Sequence, residues 1–161
     1  MSKGYTLIEI LVGLTIISLL FSMGFVSYRD FSRRQALNGA AKTVQGDLRL
    51  TQQQALSGQK PDDGNCNTPN LLNGYNFRVD SSSSYAVEAA CSGGGGTNVE
   101  VKSVDLPSGV SISTPSPNPI LFKVLGQGTN IASGGSAVVT LTQTGVSSPI
   151  TITITAGGEI K

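Results

Sequence analysis

Glu9 is the residue in this chain whose type and setting most demand chemistry. It is the only charged residue between Lys3 and Arg29, inside an otherwise apolar run that opens Tyr5-Thr6-Leu7-Ile8-Glu9-Ile10-Leu11-Val12 and continues to Phe25. An ionised side chain near the middle of a bilayer costs about 2.5–3.5 kcal/mol on insertion scales. Such a carboxylate needs a partner, or must snorkel to the headgroups from a site near the helix end. The other chemistry-bearing pair is Cys66 and Cys91, both in polar, loop-like sequence. In an extracytoplasmic domain their default state is a disulfide closing a loop of about 25 residues, worth roughly 3 kcal/mol on the chain-entropy model. Two free thiols are the alternative. Histidine is absent, which removes the commonest general base and transition-metal ligand.

The elements that must position these residues begin with the apolar run itself. About 20 apolar residues cross a hydrocarbon core, and residues 5–28 are long enough. A buried core helix would need a domain large enough to surround it on every side. The remainder of this 161-residue chain, one small domain by length, is too short and polar for that. A secretory signal would carry a small-residue cleavage site after the run, and Ser22-Met23-Gly24 is a poor one. Arg29, Arg33 and Arg34 flank the C-terminal end against Lys3 at the other, which by the positive-inside rule alone would turn the C-terminal side inward. The cysteines argue the reverse, for an oxidising exterior.

The helical pattern continues past Arg29, with no proline before Pro61. Leu37, Ala41, Val44, Leu48, Ala55 and Leu56 form a stripe at steps of three and four, broken by Gln52. Asn38, Lys42, Asp47 and Arg49 fall mainly off it. The spacing predicts one helix from about Tyr5 to Leu56, stopped near Gly58. Gly13 and Gly24 are small residues of the kind that let membrane helices approach closely.

Beyond Leu56 the texture turns to Gly, Ser, Thr and Asn. Pro61-Asp62-Asp63-Gly64-Asn65 is turn chemistry and lacks the ligand spacing of an EF-hand loop. Strands are predicted at Tyr75–Val79, Tyr85–Ala89, Val99–Val101, Val110–Ile112, Ile120–Val124, Ala137–Thr142 and Ile150–Thr155. Gly93–Gly96 reads as a loop. Pro115, Pro117 and Pro119 exclude a central strand where they stand. In the last strand Ile150, Ile152 and Ile154 share the core face. The expected fold is α+β: a long N-terminal helix, transmembrane in its first half, packed on an antiparallel sheet.

Gly4-Tyr5-Thr6-Leu7-Ile8-Glu9 closely resembles the type IV prepilin signal, shared by type IV pilins and the pseudopilins of type II secretion. The resemblance implies cleavage between Gly4 and Tyr5 by a membrane prepilin peptidase, then N-methylation of Tyr5. The family usually has Phe at that place. It often carries a proline late in the apolar segment, and this chain has none there. Cleavage makes a cationic α-amine. Glu9 can pair with the amine of its own chain or, as the family implies, with that of an adjacent subunit. The parts are then a leader (1–4), a membrane and filament-core helix (5–28), its amphipathic continuation (29–58) and a β-rich pilin head (59–161). The implied localisation is the bacterial cytoplasmic membrane, single-pass with the head extracytoplasmic, then the filament. The implied partners are other pilin or pseudopilin subunits, the peptidase, a membrane assembly platform and the bilayer, with no cofactor or metal.

A looser likeness covers most of the chain. Asp47-Leu48-Arg49 with Gln54-Ala55, Leu121-Phe122 ahead of Gly126 and Gly128, and the strand and Gly-containing tail from Ile150 to Lys161 resemble H-type minor pseudopilins and FimT-type minor pilins. The expected function is a minor pilin or pseudopilin subunit, of a type II secretion pseudopilus or a type IV pilus. The alternative is a DNA-binding minor pilin of an uptake pilus. Against it, Lys102, Lys123 and Lys161 are few and scattered, and net charge is only +1. An enzyme is not expected, because no base stands beside the many hydroxyls.

Overall fold

A computed structural model describes residues 4–63, 66, 70–92 and 98–161; side chains 22–26 also lie outside the description. Met1–Lys3, the Gly93–Gly96 loop, Gly64, Asn65 and the surroundings of Gly24 and Val26 therefore fall outside the described residues.

One helix, α1 (Leu7–Ser57), runs 51 residues without a break, about 77 Å. It starts two residues later than expected because Thr6 is its N-cap, extended at φ −79° and ψ 151°. Gly58 ends it in the left-handed region (φ 61°), its N–H donating to the Ala55 carbonyl. Leu7, Ile8, Leu11, Leu14, Leu19, Leu20 and Phe21 are all exposed, Leu7 at 83%. The described core cluster does not include them. Among the described residues no helix is long and apolar enough to cross a membrane; the span expected over 5–28 includes the five side chains not described.

The C-terminal half of α1 meets the head along the predicted stripe. Leu37, Ala41, Val44, Leu48 and Ala55 are buried. Leu56 departs from the expectation at 50% exposed, at the rim of the stripe against Gly126. Asp47, expected off the face, is buried at 6% exposed.

The head holds two antiparallel sheets where the sequence was read as one. The strands are β1 (Leu71–Ser81), β2 (Ser84–Ser92), β3 (Val99–Asp105), β4 (Val110–Ile112), β5 (Ile120–Lys123), β6 (Ser136–Gln143) and β7 (Ile150–Thr155). The first sheet has the order β3-β2-β1-β5 and the second β4-β6-β7. The proline-rich approach carries the chain from β4 in one sheet to β5 in the other, where β5 takes an edge as proline requires. Val124, expected to close β5, instead opens a 3-10 turn, Val124–Gly126. Gly74 permits the β1–β5 contact: a Cβ there would overlap the Phe122 carbonyl. The common core lies between the sheets and α1, around Phe77, Tyr85, Val87, Leu48, Ile120, Val139, Leu141 and Ile154. The Phe77 and Tyr85 rings sit 5.1 Å apart at 33°.

The sheet edges are managed. Residues 128–130 bond along β5, through Lys123 N–H to the Gly128 carbonyl and Asn130 N–H to that of Leu121. The tail does the same for β7, where Thr153 and Lys161 exchange both backbone bonds. At β3 a register shift opposite Val87 and Glu88 leaves Val101 unpaired, and Lys102 turns inward. A bulge and an inward charge are the usual guards of an edge strand.

Leu48→Ala is expected to lower the head's unfolding free energy by about 2–5 kcal/mol. Leu50→Ala, on the exposed side of the same turn, should stay within about 0.5 kcal/mol. Urea unfolding of the full chain in detergent checks both; equal losses would mean the stripe is not the packing face.

Candidate assembly surface

The sequence around Gly4 and Glu9 forms a helix start rather than a pocket. Gly4 and Tyr5 precede α1 in exposed, non-helical chain, Tyr5 at 78% exposed. A Cβ on Gly4 would meet nothing within 4 Å. Among the described residues nothing packs on a Cβ built at Gly4, and both Gly4 and Tyr5 are exposed. Thr6 Oγ1 accepts from the Glu9 N–H at 3.3 Å, and the Thr6 carbonyl from the same N–H at 3.1 Å. Thr6-Leu7-Ile8-Glu9 thus has the spacing of a capping box. Because Tyr5 stands ahead of the helix, it and Glu9 are not stacked one helical turn apart in the uncleaved chain. Glu9 is exposed in the first turn, where the helix dipole favours a negative charge. It makes no ion pair among the described residues.

The hydroxyls of this half are satisfied within the helix. Thr15 donates to the Val12 carbonyl and Ser18 to that of Leu14, each at 2.8 Å. Neither needs water, which suits an apolar surround. Gly13 has open space where a side chain would be.

Where α1 enters the head, a polar contact fixes its rotation. Lys102 Nζ donates to both carboxylate oxygens of Asp47, at 2.7 and 2.9 Å, and Tyr85 donates to Oδ2 at 2.8 Å. Sequence reasoning missed this contact. The signal was present: Asp47 lies three residues after Val44 and one before Leu48, on the flank of the stripe. Burial and the bond to Asp47 both push the Tyr85 phenol up from its ordinary value, and burial does the same to Tyr75.

Cys66 and Cys91 are joined by a disulfide, with Cα atoms 5.3 Å apart. It ties the segment after α1 to the end of β2. The three lysines weighed for DNA do not form a track. Lys102 is turned onto Asp47, Lys161 pairs with Glu159 at 3.2 Å, and Lys123 is half-buried on β5.

Residues 1–25 match a family model described as the prokaryotic N-terminal methylation motif. The chain thus carries a prepilin-type N-terminal methylation motif over a stretch that includes the first turns of α1. No curated protein and no solved structure matches the chain.

A tyrosine whose folded pKa is raised favours the neutral phenol in the native state. Stability is complete below pH about 10 and falls as pH rises beyond it, by up to about 1.4 kcal/mol per pH unit for each such group. Tyr85→Phe should cost about 1–3 kcal/mol near neutrality and flatten the alkaline fall. Unfolding midpoints between neutral and alkaline pH test this; identical slopes in the two proteins would refute it.

Proposed function

We propose that the chain is a structural subunit of a pilus-type filament, processed at Gly4–Tyr5 and built in through its N-terminal helix. The observation that carries this reading is the union of the methylation motif with a helix whose first half stands clear of the head, apolar on every side. Such a half-helix needs lipid first and other copies of itself later. From Leu7 to Tyr28 it is about 33 Å long, enough to span a bilayer.

Prepilin peptidase removes residues 1–4 and leaves Tyr5 as a methylated, cationic N-terminus. Glu9 then receives the amine of an adjacent copy as that copy enters the filament. In an apolar surround the pair is strong, and a subunit without it carries an uncompensated charge. The disulfide supports an extracytoplasmic head, since such bonds persist in oxidising compartments. That orientation overrides the arginines at 29, 33 and 34, which sit at the outer interface. The assembly is a type II secretion pseudopilus or a type IV pilus, and the role is that of an H-type or FimT-type minor subunit. Its partners are sibling subunits, the peptidase and a membrane assembly platform.

Intact-mass analysis of the native protein should give a chain starting at Tyr5, carrying one methyl group and lacking two hydrogens for the Cys66–Cys91 bond. Retention of Met1, or loss of the whole apolar stretch, would sink the reading. Glu9→Ala should be cleaved normally yet enter filaments about 100-fold less, the effect of leaving a buried amine unpaired. Immunoblots of sheared filaments against the membrane pool measure it, and wild-type incorporation would eliminate the ion pair.

A further inference from the structure

The arginines that oppose the charge rule for a membrane span stand at the foot of the head, and two of them line clefts there. One cleft lies where α1 passes the β3–β4 connection and holds Ser32, Arg33, Ser108 and Thr144. The other lies where α1 passes the β6–β7 connection and holds Arg34, Asn38, Ser148 and Pro149. Neither is lined by a carboxylate. The two connections are bonded to each other, the Thr144 N–H donating to the Gly109 carbonyl at 3.0 Å. Arg33 lies over Gly145, whose φ of 82° and missing side chain make room for the guanidinium. Among the described residues neither Arg33 nor Arg34 forms an ion pair, even with Asp30 one turn below. Each cleft thus offers a cation and uncharged hydroxyl or amide groups, which is the chemistry that receives a phosphate.

The length of α1 decides which phosphate. Leu7–Tyr28 covers about 33 Å, close to the hydrocarbon core of about 30 Å, and each headgroup layer adds about 5–7 Å. With that stretch in the core, the backbone of Arg33 stands about 8 Å beyond Tyr28 and that of Arg34 about 9 Å. Side chains on a helix lean toward its N-terminus, which here means toward the bilayer. Both clefts therefore stand at the level of lipid phosphates. Tyr28 and Phe31, exposed at 69% and 60%, occupy the level just below, where aromatic side chains anchor membrane helices. Half-buried Val146 and Ile150 add an apolar wall to the Arg34 cleft. A subunit waiting in the bilayer meets lipid before it meets another copy, and lipid headgroups surround this level at all times.

We infer that the two clefts are seats for anionic phospholipids of the outer leaflet, Arg33 and Arg34 each donating to one headgroup phosphate. The inference rests on the membrane insertion assumed in the filament reading above, and it names a ligand for the foot of the same head. The arginines then serve the head rather than the topology of the span. They set its height over the membrane and, with one cleft at each of two connections, its rotation about α1. The hold is electrostatic and reversible, so a subunit can still be drawn out of the bilayer.

The test uses the full-length chain in nanodiscs of equal parts phosphatidylcholine and phosphatidylglycerol. Native mass spectrometry of the released protein should show phosphatidylglycerol retained in excess over phosphatidylcholine. Arg33→Gln and Arg34→Gln should each cut that excess about fivefold, the equivalent of about 1 kcal/mol per arginine at an anionic surface. The thermal midpoint of the head should be unchanged in both. Lys42→Gln removes the same charge from an exposed site on α1, about 12 Å farther from the membrane than Arg34, and should leave the excess within about twofold of wild type. Inorganic phosphate added to the discs should displace nothing, and a photoreactive residue at Ser148 should cross-link to phospholipid. No preference for phosphatidylglycerol, an equal loss in Lys42→Gln, displacement by inorganic phosphate, or a cross-link to protein alone would each overturn the lipid seats. In those cases a chain that still enters the discs leaves the filament reading standing. A chain that does not enter them overturns both.

Discussion

The molecule is organised by a mismatch of lengths: a single unbroken helix of 51 residues is longer than the head that packs on it. The head buries α1 from Leu37 to Ala55 and also touches it at Arg33 and Ala36. Within that stretch, two sheets and a helical stripe enclose a core that leaves Val44, Leu48, Phe77 and Tyr85 without solvent contact. Outside it, the same helix presents exposed leucine and isoleucine, and none of the described residues of the chain buries them. Area removed from water is the main drive for folding. A helix that leaves so much apolar surface behind has half of its burial still to come, and that burial must be found in lipid or in other copies.

The covered half has to hold the exposed half steady, and apolar packing alone permits a helix to slide or rotate by small steps. Asp47 limits that freedom. It receives a lysine from β3 and a tyrosine from β2, so one carboxylate joins α1 to two adjacent strands. The same lysine guards the β3 edge by pointing inward. At the other end, the Cys66–Cys91 bond fastens the segment after α1 to the end of β2. The helix is thus tied to the four-stranded sheet in mid-course and, just past its end, through the segment that follows it, which makes it a stiff lever rather than a flexible stalk.

Electrostatics divides along the same line. The head holds ion pairs: Arg78 with Asp80 and Glu88, Asp47 with Lys102, Glu159 with Lys161. In the uncovered half Glu9 stands without an ion pair among the described residues. At the foot of the head Arg33 is likewise without one, and the Gln143 acceptor is unmet.

The linear order of residues was enough to define the long helix, its stop at Gly58, the stripe from Leu37 to Ala55 and the last strand at Ile150–Thr155. Each is written in local spacing, as steps of three and four or alternation by two. The Gly4–Glu9 motif was equally legible, because leader, glycine and carboxylate are neighbours in the chain. The division into two sheets was not, since whether β5 joins β1 or β4 depends on Gly74 letting the Phe122 carbonyl approach. Nor could Asp47 be placed: a charge on the edge of a stripe is solvated or buried according to what the opposite strand offers, and Lys102 lies 55 residues away. The Gln143 acceptor is orphaned only in the fold, where Gly109 lets its loop close on the side-chain amide. Periodicity reports which face a residue occupies, whereas the partner it meets there is set by strand register, and only the folded chain decides that.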